Sequence, residues 1–284
     1  MPTAPQSVYP SLVSTSTALL LVVLACLLAP LAWVESHNLN QPLMLGLNHL
    51  LNAQAPGQTV APLVSAWWSG VTVMGLGLSM FLVFGAWAER QPGWMAAYLF
   101  CLLIGGLLVH LLKHAIDAPR PPAVLSPGEL HVIGSVLRTR SMPSGHSASA
   151  FAFAAVMLLS PNPWPLRRLL MAPALATAVL IALSRIAVGA HWPLDVLVGS
   201  ALGWVFGGMS VALATTSGLT RWCASPAGRW VLTLAWFGAG LAMCTQQTGY
   251  PQAVPLQWVL GLACAAGALW RARRLWALRG APAA

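Results

Sequence analysis

Three short polar stretches interrupt an otherwise apolar sequence: residues 113–121 (KHAIDAPRP), 143–146 (PSGH) and 184–195 (SRIAVGAHWPLD). Between them they supply the cations Lys113, Arg120 and Arg185, the histidines His146 and His191, the carboxylate of Asp195 and the hydroxyl of Ser144. That set suits a phosphoryl group, because in transfer the negative charge spreads over the equatorial oxygens and fixed cations in a dry pocket stabilise it. Arginine's planar fork reaches two oxygens at once, while lysine offers a compact charge. Pro143, Ser144 and Gly145 read as a turn into a helix, whose free N–H groups and positive dipole end attract an anion. Gly145 lets the backbone come close, and Ser144 adds a hydroxyl. His191 and Asp195 are spaced i, i+4 with Pro193 between them at a favoured helix-start position. The carboxylate can therefore accept the proton of one ring nitrogen and leave the other as a nucleophile. His146 is then the group to protonate the leaving oxygen.

These stretches lie far apart in sequence, so the elements between them must bring them together. The chain has 284 residues, 58% hydrophobic and 7% charged, with a mean hydropathy of +0.74, which is too little polar surface to coat a soluble globule. Runs of about 18 apolar residues read as membrane-spanning helices, since in hydrocarbon each backbone polar group must be satisfied within its own helix. About eight are expected, near 17–34, 63–88, 94–112, 145–159, 166–188, 193–214, 230–245 and 255–270. The fold class is thus all-α, a polytopic transmembrane bundle forming a single integral membrane domain over 1–284. Alternating β patterns are absent, which argues against an outer-membrane barrel. Residues 41–52 form either a short interfacial helix or a loop.

Lysine and arginine collect in cytoplasmic loops. With the N-terminus inside, Arg90, Arg167, Arg168, Arg221, Arg229 and the tail arginines from Arg271 to Arg279 fall on the cytoplasmic side, and both termini are cytoplasmic. The outward loops 35–62 and 246–252 contain neither residue. The outward loop after the third span is the exception, with Lys113, Arg120, Arg138 and Arg140. Alternation puts the end of span three, the start of four, the end of five and the start of six on this same outward face, and those four termini carry all three polar stretches. The first apolar run lacks a basic start and is expected to be retained rather than cleaved as a signal peptide.

The net charge of +9 is spread over loops separated by spans, so anionic lipid headgroups rather than nucleic acid are the expected partners of the cytoplasmic arginines. The five cysteines show no ligand or disulfide spacing and read as packing residues. Gly199, Gly203 and Gly207 align on one face of the sixth span and invite a close helix neighbour. Asp117 is expected to pair with Lys113 or Arg120, His114 and His131 to be loop or interface residues, and Trp192 to be an interfacial anchor with substrate stacking as the alternative. Arg138 and Arg140 meet either a substrate headgroup or bilayer phosphates. Spans one, two, seven and eight carry no chemical motif and are expected to serve as scaffold, lateral access or partner contact.

The three stretches resemble the signature of the type 2 phosphatidic acid phosphatase family, KxxxxxxRP, PSGH and SRxxxxxHxxxD, with every defining position present from Lys113 through Pro121, Pro143 and Ser184 to Asp195. The resemblance covers residues 94–214, and the spans in 230–270 lie beyond it. It implies a six-helix core and a membrane-bound bacterial lipid phosphatase without metal or cofactor, sited in the inner membrane with its active site facing the periplasm. It further implies a phosphohistidine on His191 oriented by Asp195, phosphate held by Lys113, Arg120, Ser144, Gly145 and Arg185, and His146 as acid; Ser184 is a weaker candidate for phosphate contact. The implied substrate is undecaprenyl diphosphate, phosphatidylglycerophosphate, phosphatidate or a lipid A phosphate. A lipid-to-lipid phosphotransferase using the same intermediate and a non-catalytic phospholipid-binding or transport protein are the alternatives. The sequence leaves the oligomeric state open.

Overall fold

The computed structural model describes residues 11–161 and 164–279 and is helical almost throughout, with no β-strand among the described residues. In chain order the helices are α1 (Ser11–Ser36), α2 (Asn40–Asn52), α3 (Pro62–Met74), α4 (Gly77–Trp87), α5 (Pro92–Phe100), α6 (Gly106–Ile116), α7 (Pro121–Val124), α8 (Gly145–Leu159), α9 (Trp164–Ala187), α10 (Pro193–Thr216), α11 (Leu219–Ala224), α12 (Pro226–Thr245) and α13 (Val254–Arg279). Among the described residues, six stretches are long and apolar enough to cross a membrane: Thr17–Ser36, Pro92–Val124, Pro165–Ala187, Pro193–Thr216, Pro226–Thr245 and Pro251–Ala277. Adding the bent pair α3–α4 and the shorter α8 accounts for all eight apolar segments read from the sequence.

Two of those segments are not plain helices. The second breaks between α3 and α4 with a bend of 65°. A Cβ on Gly75 would sit 2.5 Å from Ile181 Cγ2 and 3.2 Å from His146 Cβ, so the break lets α9 and His146 press against bare backbone. The carbonyls loosened there find donors in the protein. Ser79 Oγ donates to Val73 O at 2.7 Å and Tyr98 Oη to Gly77 O at 2.7 Å, as the absence of water in hydrocarbon demands. The third segment widens into a π-helical turn at Cys101–Gly105, a distortion that often marks functional sites.

The centre of the bundle is the pair α8–α10. The stripe Gly199, Gly203, Gly207 faces the alanine-rich α8 so closely that added Cβ atoms would meet Ser144 O at 2.4 Å, Ala148 O at 2.1 Å and Ala155 Cβ at 2.5 Å. The stripe thus has its close neighbour, and that neighbour carries PSGH at its first turn. Residues 41–52 are helical within α2, which does more than lie at an interface. The buried Asn48 amide donates to His131 O, Ile186 O and Ala187 O at 2.9–3.0 Å, and its Oδ1 accepts the His131 N–H at 2.9 Å. This single side chain clamps the 131 loop to the end of α9, four residues before His191.

Candidate active site

Each polar stretch sits at a helix terminus. Arg185 occupies the last turn of α9, and beyond it the chain folds back over its own carbonyl: Ala190 N–H and His191 N–H both donate to Arg185 O, at 3.0 and 3.2 Å. Gly189 makes that turn possible, with φ of 73° and no room for a Cβ, which would lie 2.6 Å from His131 O. Trp192 is then the N-cap of α10, Pro193 its first residue and Asp195 its third, with the Asp195 carboxylate reaching back to Trp192 N–H at 2.9 Å. A carboxylate belongs at that end of a helix. The PSGH turn is tied to the same place by Ser144 N–H donating to Asp195 O at 2.9 Å.

The i, i+4 spacing of His191 and Asp195 brings them together as read from the sequence. His191 Nδ1 lies 3.5 Å from Asp195 Oδ2, and both residues are at most 2% exposed. Ser141, which the sequence reading did not single out, donates its hydroxyl to the same Oδ2. On the opposite edge of the ring, Arg120 Nη1 approaches His191 Nε2 at 3.2 Å. These partners assign the proton to Nδ1 and the lone pair to Nε2. Burial, and then the charges of Arg120, Arg185 and Lys113, hold the imidazole well below the usual histidine range. It is therefore neutral near pH 7, the form a nucleophile needs.

The cations are braced by backbone. Arg120 donates from Nε to Thr139 O at 2.8 Å and from Nη1 to Ala190 O at 2.8 Å, and Lys113 Nζ donates to Arg140 O at 2.9 Å and Ser141 O at 3.2 Å. Arg185 Nη1 donates to Thr72 Oγ1 and, at 3.0 Å, to the Tyr250 hydroxyl, while its buried Nε has no partner. Among the described residues none of the three has a carboxylate partner within ion-pair distance. Asp117, expected to pair with Lys113 or Arg120, instead ends α6 in the left-handed conformation, with φ of 41° and its N–H on Lys113 O. It is exposed and makes no ion pair.

Ser144 is fully buried as the N-cap of α8, within 2.9 Å of the Ser147 hydroxyl. Ser184 is buried too, its hydroxyl on Ile181 O at 2.6 Å and Thr72 Oγ1 at 3.1 Å, so its hydroxyl is linked to the Arg185 guanidinium by way of Thr72. Trp192 donates its indole N–H to Pro119 O at 2.9 Å, which joins the first polar stretch to the third. His131 is buried behind α2, and His114 is exposed. His146, in the first turn of α8, lines a cavity of about 300 Å³ whose other walls include Leu76, Leu102, Val109, Ala152 and Phe206. The cavity lies where α3–α4 breaks, at Gly75–Gly77, and where the third span bulges, at Cys101–Gly105.

Gly145 differs from the stripe glycines. A Cβ there would meet only Val109 Cγ1 at 3.7 Å and Lys113 Cε at 4.0 Å, ordinary contacts, so no protein atom demands glycine. What the bare backbone keeps open is the space beside Lys113 at the free N–H end of α8. Gly145→Ala is expected to leave the detergent melting temperature unchanged while weakening orthovanadate binding about ten-fold, through loss of close backbone approach. Equal vanadate affinity in calorimetry would remove Gly145 from the anion site.

Residues 94–219 match the family model of the PAP2 superfamily. A lipid A 1-phosphatase from Rhizobium etli is 34% identical over 135 residues, 44% of this chain and 53% of that protein. An undecaprenyl-diphosphatase from Sulfolobus acidocaldarius is 35% identical over 81 residues, 28% of this chain and 37% of that protein. The chain thus spans about half or less of the length of these curated relatives. The crystal structure of Aquifex aeolicus LpxE aligns with a TM-score of 0.49 and 28% identity, over 61% of this chain and 95% of that one.

Proposed function

We propose that this chain, whose residues 94–219 are a PAP2 superfamily segment, is a membrane phosphatase that removes phosphate from a lipid by way of a phosphohistidine on His191. The observation that carries this reading is the arrangement of charge around one imidazole. Asp195 stands on the Nδ1 edge and Arg120 on the Nε2 edge, and neither Arg120 nor the nearby Arg185 and Lys113 has a carboxylate partner among the described residues. In the first step Nε2 attacks phosphorus, a P–N bond forms, and the P–O bond to the lipid breaks. The departing oxygen takes a proton from protonated His146, while Asp195 stabilises the positive charge gained by the ring. Lys113, Arg120, Arg185 and the N–H groups at Ser144 and Gly145 hold the phosphoryl oxygens. In the second step water attacks phosphorus, gives its proton to His146, and releases inorganic phosphate and neutral His191.

The apolar cavity beside His146 supports a lipid as the leaving group, since a hydrocarbon chain entering there keeps its oxygen next to the acid. The basic residues support an outward, periplasmic site in an inner membrane. Arg90, Arg167, Arg168, Arg221 and Arg229 lie at the ends of the spans away from the catalytic stretches, where the positive-inside rule expects cytoplasm. The name of the Rhizobium relative makes lipid A 1-phosphate the first substrate to assay. Purified protein in detergent micelles is expected to release inorganic phosphate from at least one of lipid A 1-phosphate, undecaprenyl diphosphate, phosphatidylglycerophosphate and phosphatidate, equally with and without EDTA. Phosphate appearing on a second lipid instead of in solution would replace hydrolysis by transfer. Binding of all four without turnover would remove the enzymatic reading.

A further inference from the structure

The last two helices lie outside the superfamily segment and carry no chemical motif, yet their connection reaches the site. α12 and α13 form a hairpin held close by glycines, a Cβ on Gly261 falling 2.4 Å from Gly240 O. The far end of the hairpin is pinned to α4: Arg271 Nη2 donates to Gly85 O at 2.7 Å and Trp236 Nε1 to Leu82 O at 2.9 Å. At the near end, Gln257 Nε2 gathers Met243 O and Gln246 O at 3.2 and 3.0 Å, and Ser135 N–H donates to Gly249 O at 2.9 Å. With both ends fixed, Tyr250 is packed among Trp68, Ile133 and Val188 and is only 7% exposed. Its hydroxyl accepts from Arg185 Nη1 at 3.0 Å, and its ring lies 5.8 Å from the guanidinium.

Arg185 is 2% exposed, and its Nη1 is divided between Thr72 Oγ1 on α3 and the Tyr250 hydroxyl. Both acceptors are neutral and both lie outside residues 94–219. A neutral acceptor fixes the direction of a guanidinium without cancelling its charge, whereas a carboxylate would compete with the anion it is meant to bind. The partnerless Nε is left as a spare donor on a fork whose other corner is already held.

We infer that Tyr250, together with Thr72, is a positioning residue that holds the Arg185 guanidinium ready for phosphate, so that the C-terminal hairpin completes the site. The inference rests on the proposed phosphate chemistry, but its test uses anion binding and not turnover. Orthovanadate affinity is to be measured by calorimetry on the full chain and on the Tyr250→Phe, Thr72→Val and doubly substituted proteins. A guanidinium held at two points pivots when either is lost. Each single change is therefore expected to weaken vanadate about ten-fold, and the double change scarcely further, because the two share one nitrogen. Phenylalanine keeps the ring packing, so the melting temperature of Tyr250→Phe should match the parent. Wild-type affinity in Tyr250→Phe would overturn the inference, as would a double variant weakened by the product of the two single effects, which independent structural losses predict. A parent protein that binds vanadate but releases no phosphate from any lipid would remove the hydrolase reading and leave this result standing.

Discussion

Replacing His191 with glutamine is expected to reduce phosphate release by at least about 10⁴-fold while the protein stays folded and still binds vanadate. The size follows from the role. The other groups around phosphorus stabilise charge and lose part of the rate when removed, but no neighbour can form the covalent bond in place of Nε2. His146 is the one other imidazole at the site, and it lies on the cavity side, at the first turn of α8. Glutamine roughly matches histidine in reach and offers an amide to Asp195, so the polar contacts buried around position 191 are not abandoned. Rapid denaturation in alkali of parent protein given phosphorus-labelled substrate should trap label on the chain that acid then removes, as expected of a phosphoramidate. The glutamine variant should trap none. Release persisting at the parental rate in this variant would displace His191 as nucleophile and leave direct attack by water, with the cations as the main catalytic device.

The residues proposed to carry the chemistry were legible because each depends on local order. The His191–Asp195 pair needs only one helical turn, Ser144 needs only the start of α8, and the four helix termini share a face by alternation of spans. The supports were less legible in proportion to their distance along the chain. Ser141 holds Asp195 across 54 residues, Asn48 holds Ile186 across 138, and Thr72 meets Arg185 across 113. No periodicity encodes such contacts. A weaker signal did exist for Thr72 and Asn48, polar side chains within apolar helices, where an unsatisfied group is costly and a partner is to be expected. Tyr250 had none, being one aromatic residue in a short loop. The expected pairing of Asp117 failed for the opposite reason. Sequence proximity to Lys113 and Arg120 suggested an ion pair, but Asp117 is used to end α6, and both cations turn to the carbonyls of Thr139, Arg140 and Ser141. An acidic partner there would have neutralised the charge the site needs.

Gly203→Val is expected to abolish folding of the bundle, an effect of a different kind from those on catalysis. The Cβ alone would stand 2.1 Å from Ala148 O and 2.7 Å from Ala148 Cα, and these are backbone atoms of a helix that cannot swing aside as a side chain can. Valine adds two further methyl groups at the same contact. Relief requires α8 and α10 to part. Gly199 against Ser144 O and Gly207 against Ala152 O, at 2.4 and 2.8 Å, show that the helices touch along the whole stripe. The destabilisation should exceed about 3 kcal/mol, a large share of the stability of a typical domain. Parting would also draw Ser144 and His146 on α8 away from His191 and Asp195 at the head of α10, so any protein that survives purification should have lost vanadate binding. Gly238→Ala on α12, where a Cβ would meet nothing within 4 Å, is the matched control and should melt with the parent. A Gly203→Val protein that melts with the parent and binds vanadate would mean that α8 and α10 are not in direct backbone contact. The convergence of PSGH with the His191–Asp195 pair would then need another cause, because this stripe is what holds the head of α10 against the first turn of α8, where the proposed nucleophile and acid lie.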